Sequence, residues 1–302
     1  MFCKKKIMLQ EKINTFLEKK SSKDKIIIIY GPTASGKTAL SIDLAKKLDT
    51  EIISTDSRQI FKQMDIWTAK ITSEEMDGVK HHMIDIISPD IDYSVWEFQT
   101  EAENIINDLI WKWKIPILAW WTGLYIDSLI YDFDIPKVLA DWDLRKKLED
   151  EAKEFWNDYV YDKLKQIDPE NYHKVHKNNV QYVIRAIEVK MLSWKSKYEQ
   201  KVEKIPKYDI LFLTPYDGDR EKLYDRINLR VEMMFDAWLL DEVESLLKKY
   251  KKTDFGLKTI WYSEVIEYLD WEITLEQAKD KIKQNSRNYA KRQLTWFRKY
   301  KN

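Results

Sequence analysis

Cysteine is all but missing. Cys3 is the only one in 302 residues, which excludes a disulfide framework and a cysteine-rich zinc site and points to a reducing cytoplasm. No apolar run approaches the ~18 residues a membrane span needs, and the opening MFCKKKIMLQ lacks the apolar core of a signal peptide. Neither sign of charge is in excess: 51 basic residues stand against 51 acidic ones, so a polyanionic partner has to be held by local patches. Glycine is scarce, 6 of 302 residues, where about 7% is usual. Tryptophan, normally rare, is present 13 times.

The patterning is that of a globular α/β chain. Lys25–Tyr30 (KIIIIY) is a continuous apolar run followed by glycine, as in a buried parallel strand. Further strands are expected at residues 51–55, 82–87, 115–119 and 210–213, with helix-period sequence between them. Strands alternating with helices predict a parallel sheet covered on both faces. Residues 143–204 show helical periodicity and no convincing strand. The expected organisation is a peripheral N-terminal extension (1–24), an α/β core (25–130), an all-helical insertion (131–206), and a core continuation with C-terminal helices (207–302).

Gly31-Pro32-Thr33-Ala34-Ser35-Gly36-Lys37-Thr38 matches G-x-x-x-x-G-K-S/T directly after a predicted strand and before a predicted helix, the context of a P-loop. Successive backbone N–H groups at a helix N-terminus form an anion cradle. Lys37 supplies a charge to terminal phosphates, and the Thr38 hydroxyl suits Mg²⁺. The second strand runs into Asp56-Ser57-Arg58-Gln59, which puts an acid beside the P-loop at the carboxyl end of the sheet. Asp56 is either a magnesium ligand or a general base; spacing alone does not separate the two.

These segments, with DIWTAK (65–70), HHMIDI (81–86), IPILAWWTGLYI (115–126), VIRAIEV (183–189), DREKLYDRINLRVEMM (219–234) and YAKRQLTWFR (289–298), occur in the order found in the tRNA dimethylallyltransferases, a family the chain resembles from Lys25 to Arg298. The resemblance implies a P-loop NTPase-like core and transfer of a dimethylallyl group from dimethylallyl diphosphate to the 6-amino group of adenosine at tRNA position 37. Pyrophosphate leaves without nucleotide hydrolysis, and Mg²⁺ assists. It implies that Asp56 is the general base, that Asp56, Ser57, Arg58 and Gln59 contact the flipped-out base, and that Thr122 lies near the donor's bridging oxygen and the tRNA. Arg145 and the stretch Gln181, Tyr182, Val183, Ile184, Arg185 match tRNA-contacting positions, although many relatives carry arginine in place of Tyr182. Arg226 and Arg230, one helical turn apart, suit a diphosphate clamp. A cytoplasmic monomer without membrane contact is expected.

Residues 281–302 carry eight Lys or Arg and no acid. Tyr289, Trp296, Phe297 and Tyr300 interleave with them, either as an RNA surface or as aromatics packed on the core. The four histidines offer no ligand set and read as structural.

The chain departs from the family at its tryptophans. Trp67, Trp113, Trp120, Trp121, Trp156, Trp194, Trp238, Trp261 and Trp271 fall where relatives carry glycine, and Trp120 and Trp121 replace both glycines before Thr122-Gly123. UGA is tryptophan in one variant genetic code and glycine in another, so a gene using UGA for glycine would give these nine when translated by the other code. A UGA-reading tRNA has adenosine at its third anticodon position, the context the resemblance implies is preferred. Three rivals stay open: an isopentenyltransferase acting on free adenine nucleotide, a small-molecule P-loop kinase, and a tRNA-binding relative whose donor pocket is blocked by Trp120 and Trp121.

Overall fold

The computed structural model describes residues 2–120, 122–132, 140–198, 203–257, 259 and 261–300. The first half of the chain runs α1 (Phe2–Glu18), β1 (Lys25–Ile29), α2 (Lys37–Lys47), β2 (Ile52–Ser54), α3 (Ser73–Met76), β3 (His81–His82), α4 (Val95–Trp111), β4 (Ile117–Ala119), α5 (Gly123–Ile130) and β5 (Tyr131–Asp132). It continues through α6 (Trp142–Ile167), α7 (Val180–Ser193), β6 (Glu203–Pro206), β7 (Asp209–Leu213), α8 (Arg220–Asp236), α9 (Leu239–Leu247), α10 (Tyr262–Leu269) and α11 (Leu275–Phe297). Two compact units result: Met1–Tyr93 with Glu97–Ile130 and Pro206–Asn302, and Ser94–Trp96 with Tyr131–Ile205.

The first unit is built on the expected parallel sheet, in the order β3-β2-β4-β1-β7. The all-apolar β1 takes the interior position, with Ile27 opposite Ile117 on one side and Leu211 on the other. Ile26 to Ile29 are fully buried, which is why the run has no polar alternation. The loops after β1, β2 and β4 all leave at the carboxyl edge, so Gly31, Thr55 and Trp120 emerge side by side. Tyr30 N–H donates to the Leu213 carbonyl, extending the ladder one residue beyond the strand.

Two expectations for this unit are corrected. The third strand is His81–His82, not residues 82–87: Met83 (φ 61°) and Asp85 (φ 54°) take left-handed backbone that ends the ladder, and only an isolated bridge joins Phe61 to Ile87. The N-terminal helix is not merely peripheral. Its Ile13 and Phe16 are buried in the same core cluster as Ile27, Ile29 and Leu213, the inward stripe of a helical period.

In the second unit, Leu148, Val160 and Leu164 of α6 pack with Val183, Ile184 and Ile187 of α7. Asp141 caps α6 by accepting from Leu144 N–H at 2.9 Å. The helix is broken inside at Trp156 (φ 71°, ψ 163°). Buried Asp168 accepts from Asn171 Nδ2 at 3.0 Å and from the Ser196 hydroxyl, tying the end of α6 to the segment after α7.

Candidate active site

The P-loop geometry follows from its two outer glycines. Gly36 is the N-cap of α2 with φ 89°, a conformation that costs glycine nothing. At Gly31 (φ 153°) a Cβ would meet the Ser35 hydroxyl at 2.8 Å. The turn between them aims backbone N–H groups and the positive end of α2 into one cavity of about 940 Å³. Lys37 Nζ donates back to the Pro32 carbonyl at 2.8 Å. Burial pulls its pKa down to about 7, helped by the neighbouring Arg230 charge and opposed by Asp56. The Ser35 hydroxyl is buried without a hydrogen-bond partner among the described residues, as suits a group waiting for an anionic oxygen.

Distant helices hold this loop. Arg230 on α8 donates to the Thr33 hydroxyl at 3.0 Å, and Gln293 on α11 accepts from Thr33 N–H at 2.9 Å. Burial also weakens the Arg230 guanidinium's hold on its proton.

Asp56 faces the same cavity. Its carboxylate accepts from Arg58 N–H at 2.8 Å, a local turn typical of aspartate. Burial raises its pKa, against the opposing hydrogen bond from Arg58 and the charge of Lys37. Ser57 N–H donates to the Thr122 hydroxyl at 2.9 Å, and Thr122 N–H to the Thr55 carbonyl at 2.7 Å, so the loops after β2 and β4 are fastened to each other. Gln59 accepts from the Ser54 hydroxyl and donates to the carbonyls of Thr68 and Ala69, each at 3.2–3.3 Å. The result is a cavity with Lys37, Arg58, Arg230 and Arg292 along its walls and the half-buried Asp56 carboxylate among them. That arrangement can bind a polyphosphate and remove one proton beside it.

The cavity gathers Thr33 to Thr38, Asp56 to Gln59, Thr122 and Arg230. Gly31 and Pro32 do not line it; the Pro32 carbonyl accepts from Lys37 Nζ. Arg226 is exposed on α8 and does not line it; it shares a helix face with Arg230, but the cavity is met by the later turns that carry Arg230, Met233 and Met234. Arg145 and the 181–185 stretch lie in the second unit. There Arg145 donates through Nε and one terminal nitrogen to Glu188, both at 2.9 Å, and Arg185 donates to the same carboxylate. Gln181 and Tyr182 are exposed. Val183 and Ile184 turn inward with the helical period and are buried in this unit's core. Trp120 is buried beside His81, ring centroids 5.6 Å apart; Trp121 lies outside the described residues. No group of three His, Cys, Asp or Glu converges as a metal site among the described residues.

The basic-aromatic C-terminal segment divides between the cavity and the core. Tyr289, Arg292 and Gln293 reach the cavity from α11, whereas Phe297 and Tyr300 of the same basic-aromatic segment pack with Tyr30 and Phe212. Glu242 on α9 accepts from the N–H groups of Asp65 (2.8 Å) and Ile66 (2.7 Å) and from the Tyr262 hydroxyl (2.7 Å). It thereby fixes the 65–70 loop on the cavity wall. Glu242 belongs to none of the sequence motifs; DIWTAK marks only the loop that it holds.

The IPP transferase family model matches residues 59–300. The chain is 50% identical over 291 residues to a tRNA dimethylallyltransferase of Alkaliphilus oremlandii, covering 93% of this chain and 90% of that one. It is 48% identical over 282 residues to a tRNA dimethylallyltransferase of Acetivibrio thermocellus, covering 92% and 90%. Among solved structures, it is similar to the tRNA isopentenylpyrophosphate transferase of Bacillus halodurans, with 42% identity, TM-score 0.67, and 91% and 87% of the two chains covered. It is also similar to a eukaryotic dimethylallyltransferase acting on tRNA, with 30% identity, TM-score 0.78, and 91% and 70% covered.

Proposed function

The chain belongs to the IPP transferase family, and from that premise we propose how its cavity performs prenyl transfer to a tRNA adenosine. The donor is dimethylallyl diphosphate and the acceptor the 6-amino group of adenosine at tRNA position 37. The P-loop N–H groups, Lys37 and Arg230 hold the diphosphate, with the orphaned Ser35 hydroxyl as a further donor. The bond from the allylic carbon to the bridging oxygen breaks, and its electron pair leaves with pyrophosphate. The amine nitrogen bonds to that carbon, and its proton passes to Asp56. Thr122, fastened to Ser57, sits between base and leaving group.

The carrying observation is the half-buried Asp56 carboxylate in the same cavity as Lys37 and Arg230. An exocyclic adenine amine is a weak nucleophile, so a base of raised pKa beside the reacting nitrogen matters. The cationic wall stabilises charge on the leaving oxygens. Thr38 lines the cavity, and its hydroxyl together with diphosphate oxygens would hold Mg²⁺, which when bound neutralises further leaving-group charge. The residues fit such an ion without a carboxylate cage. Reaching the base requires its extrusion from the anticodon loop, and the exposed Gln181 and Tyr182 with Arg145 and Arg185 are the second unit's contacts to the RNA. The protein acts as a cytoplasmic monomer; no helix among the described residues is long and apolar enough to cross a membrane.

The test is nucleoside mass spectrometry after incubation with dimethylallyl diphosphate and either tRNA or AMP, alongside labelled ATP. Prenylated adenosine from tRNA alone supports the reading; prenylated AMP or transferred γ-phosphate overturns it. Asp56→Asn is expected to lower kcat by about 10²–10⁴-fold while inorganic pyrophosphate still binds.

A further inference from the structure

Tryptophan is among the residues least suited to left-handed backbone, where a Cβ crowds the following carbonyl. Seven of the twelve described tryptophans are there: Trp113 (φ 60°), Trp120 (62°), Trp156 (71°), Trp194 (60°), Trp238 (71°), Trp261 (89°) and Trp271 (62°). Trp67, Trp96, Trp111, Trp142 and Trp296 are not.

The local hydrogen bonding identifies what these positions are built for. Trp113 N–H donates to the Ile110 carbonyl and Lys114 N–H to that of Leu109, both at 2.9 Å. At the end of α10, Trp271 N–H donates to Tyr268 (3.0 Å) and Glu272 N–H to Glu267 (2.9 Å). Both are Schellman closures with tryptophan at the left-handed residue, the place glycine fills most often. Trp194 closes α7 by a bond from its N–H to the Lys190 carbonyl at 3.0 Å, the simpler left-handed cap. Trp156 combines φ 71° with ψ 163°, a region essentially confined to glycine.

The indoles give nothing back for this strain. Trp113, Trp156, Trp194, Trp238 and Trp271 are 71–96% exposed, so no packing compensates. Trp111 is just as exposed yet sits in ordinary helix, so exposure is not what separates the groups; backbone is. Trp67 and Trp261 are buried edge-on, centroids 5.0 Å apart, and each leaves a buried indole N–H without an acceptor among the described residues. Both line the cavity, as does Trp120.

We infer that these seven positions, and Trp67 with them, are glycine in the protein as its own cell makes it, the codon translated here as tryptophan being one that cell reads as glycine. UGA differs from the glycine codon GGA only in its first base and from the tryptophan codon UGG only in its last. The backbone carries the inference at the seven positions; Trp67 joins them through its buried indole N–H without an acceptor among the described residues and its contact with Trp261, together with the glycine that the resemblance implies there. It further means that the native cavity lacks three of the indoles that now line it.

Two measurements test it. The gene is expected to read UGA at the eight positions and UGG at Trp96, Trp111, Trp142 and Trp296; UGG at the seven left-handed positions overturns the inference. In the chain as written, Trp113→Gly and Trp271→Gly are expected to raise the folding equilibrium constant about fivefold or more each. Trp111→Gly, within helix, is expected to lower it. Should the chain as written fold too poorly to measure, the eight-glycine chain replaces it, and tryptophan is reinstated singly at 113 and 271, each expected to cost about the same factor. Destabilisation by Trp113→Gly and Trp271→Gly, or no loss on reinstatement, overturns the structural argument.

Discussion

Lys37 and Asp56 share one buried cavity with displaced pKa values, Lys37 downward and Asp56 upward. The proposed mechanism needs Asp56 ionised and Lys37 protonated, so it predicts that kcat/KM follows a bell. It rises as Asp56 loses its proton and falls as Lys37, at about 7 in the empty site, loses its own. A bound diphosphate favours protonated Lys37. The falling limb of kcat therefore moves to higher pH than that of kcat/KM, and pyrophosphate binding at pH 8 takes up a proton, measurable by calorimetry in buffers of differing ionisation enthalpy. Stability carries the same signature. Between about pH 7 and the ordinary lysine value near 10.4, the unfolded chain binds a proton that the folded chain does not, so stability rises with pH across that window. Lys37→Met is expected to flatten that slope. The P-loop and Asp56 were legible in sequence because each is a local arrangement within a dozen residues. Gln293 and Arg230 were not, or only by resemblance, because they meet Thr33 across about 200 residues or more.

At the scale of elements, the loop carrying DIWTAK is held by one side chain of another helix. Glu242 satisfies two N–H groups and a tyrosine hydroxyl at once, and charge-assisted bonds of this kind are worth about 1.5–3 kcal/mol each. Glu242→Ala is expected to destabilise the protein by about 3 kcal/mol in chemical denaturation and to raise KM for the acceptor more than it lowers kcat. Glu242→Gln, which keeps an acceptor oxygen, should recover most of both. If Glu242→Ala leaves KM unchanged while stability falls, the residue supports the fold without positioning the loop. The limits of periodicity show at the same scale. A run such as HHMIDI alternates well enough to predict a strand over residues 82–87, but it cannot show that Met83 and Asp85 turn left-handed and stop the ladder at His82. The helix break at Trp156 is equally hidden, since tryptophan carries none of the breaker signal that glycine would give.

For the whole molecule, the sequence pattern was enough for the sheet, because a parallel core buries its strands on both faces and so writes them as unbroken apolar runs. The glycine deficit joins that architecture to the enzyme's substrate. If UGA specifies glycine in the source cell, every P-loop-scale turn and helix end at the inferred positions depends on a glycine tRNA with anticodon UCA. Its third anticodon base is adenosine, the neighbour that the family resemblance implies is preferred beside the adenosine to be modified. The enzyme restored to glycine is therefore expected to prenylate a UCA-anticodon glycine tRNA at a rate within about tenfold, or 1.4 kcal/mol, of other tRNAs that read U-initial codons. A glycine tRNA with cytidine as its third anticodon base should stand well below both. The chain as written, with Trp120 in the cavity, should modify all of them more slowly. Efficient modification of tRNAs reading U-initial codons together with silence toward the UCA tRNA would break this link while leaving the activity itself intact. Modification of the UCA-anticodon tRNA would place the protein among the factors that sustain the decoding on which its own glycines rest.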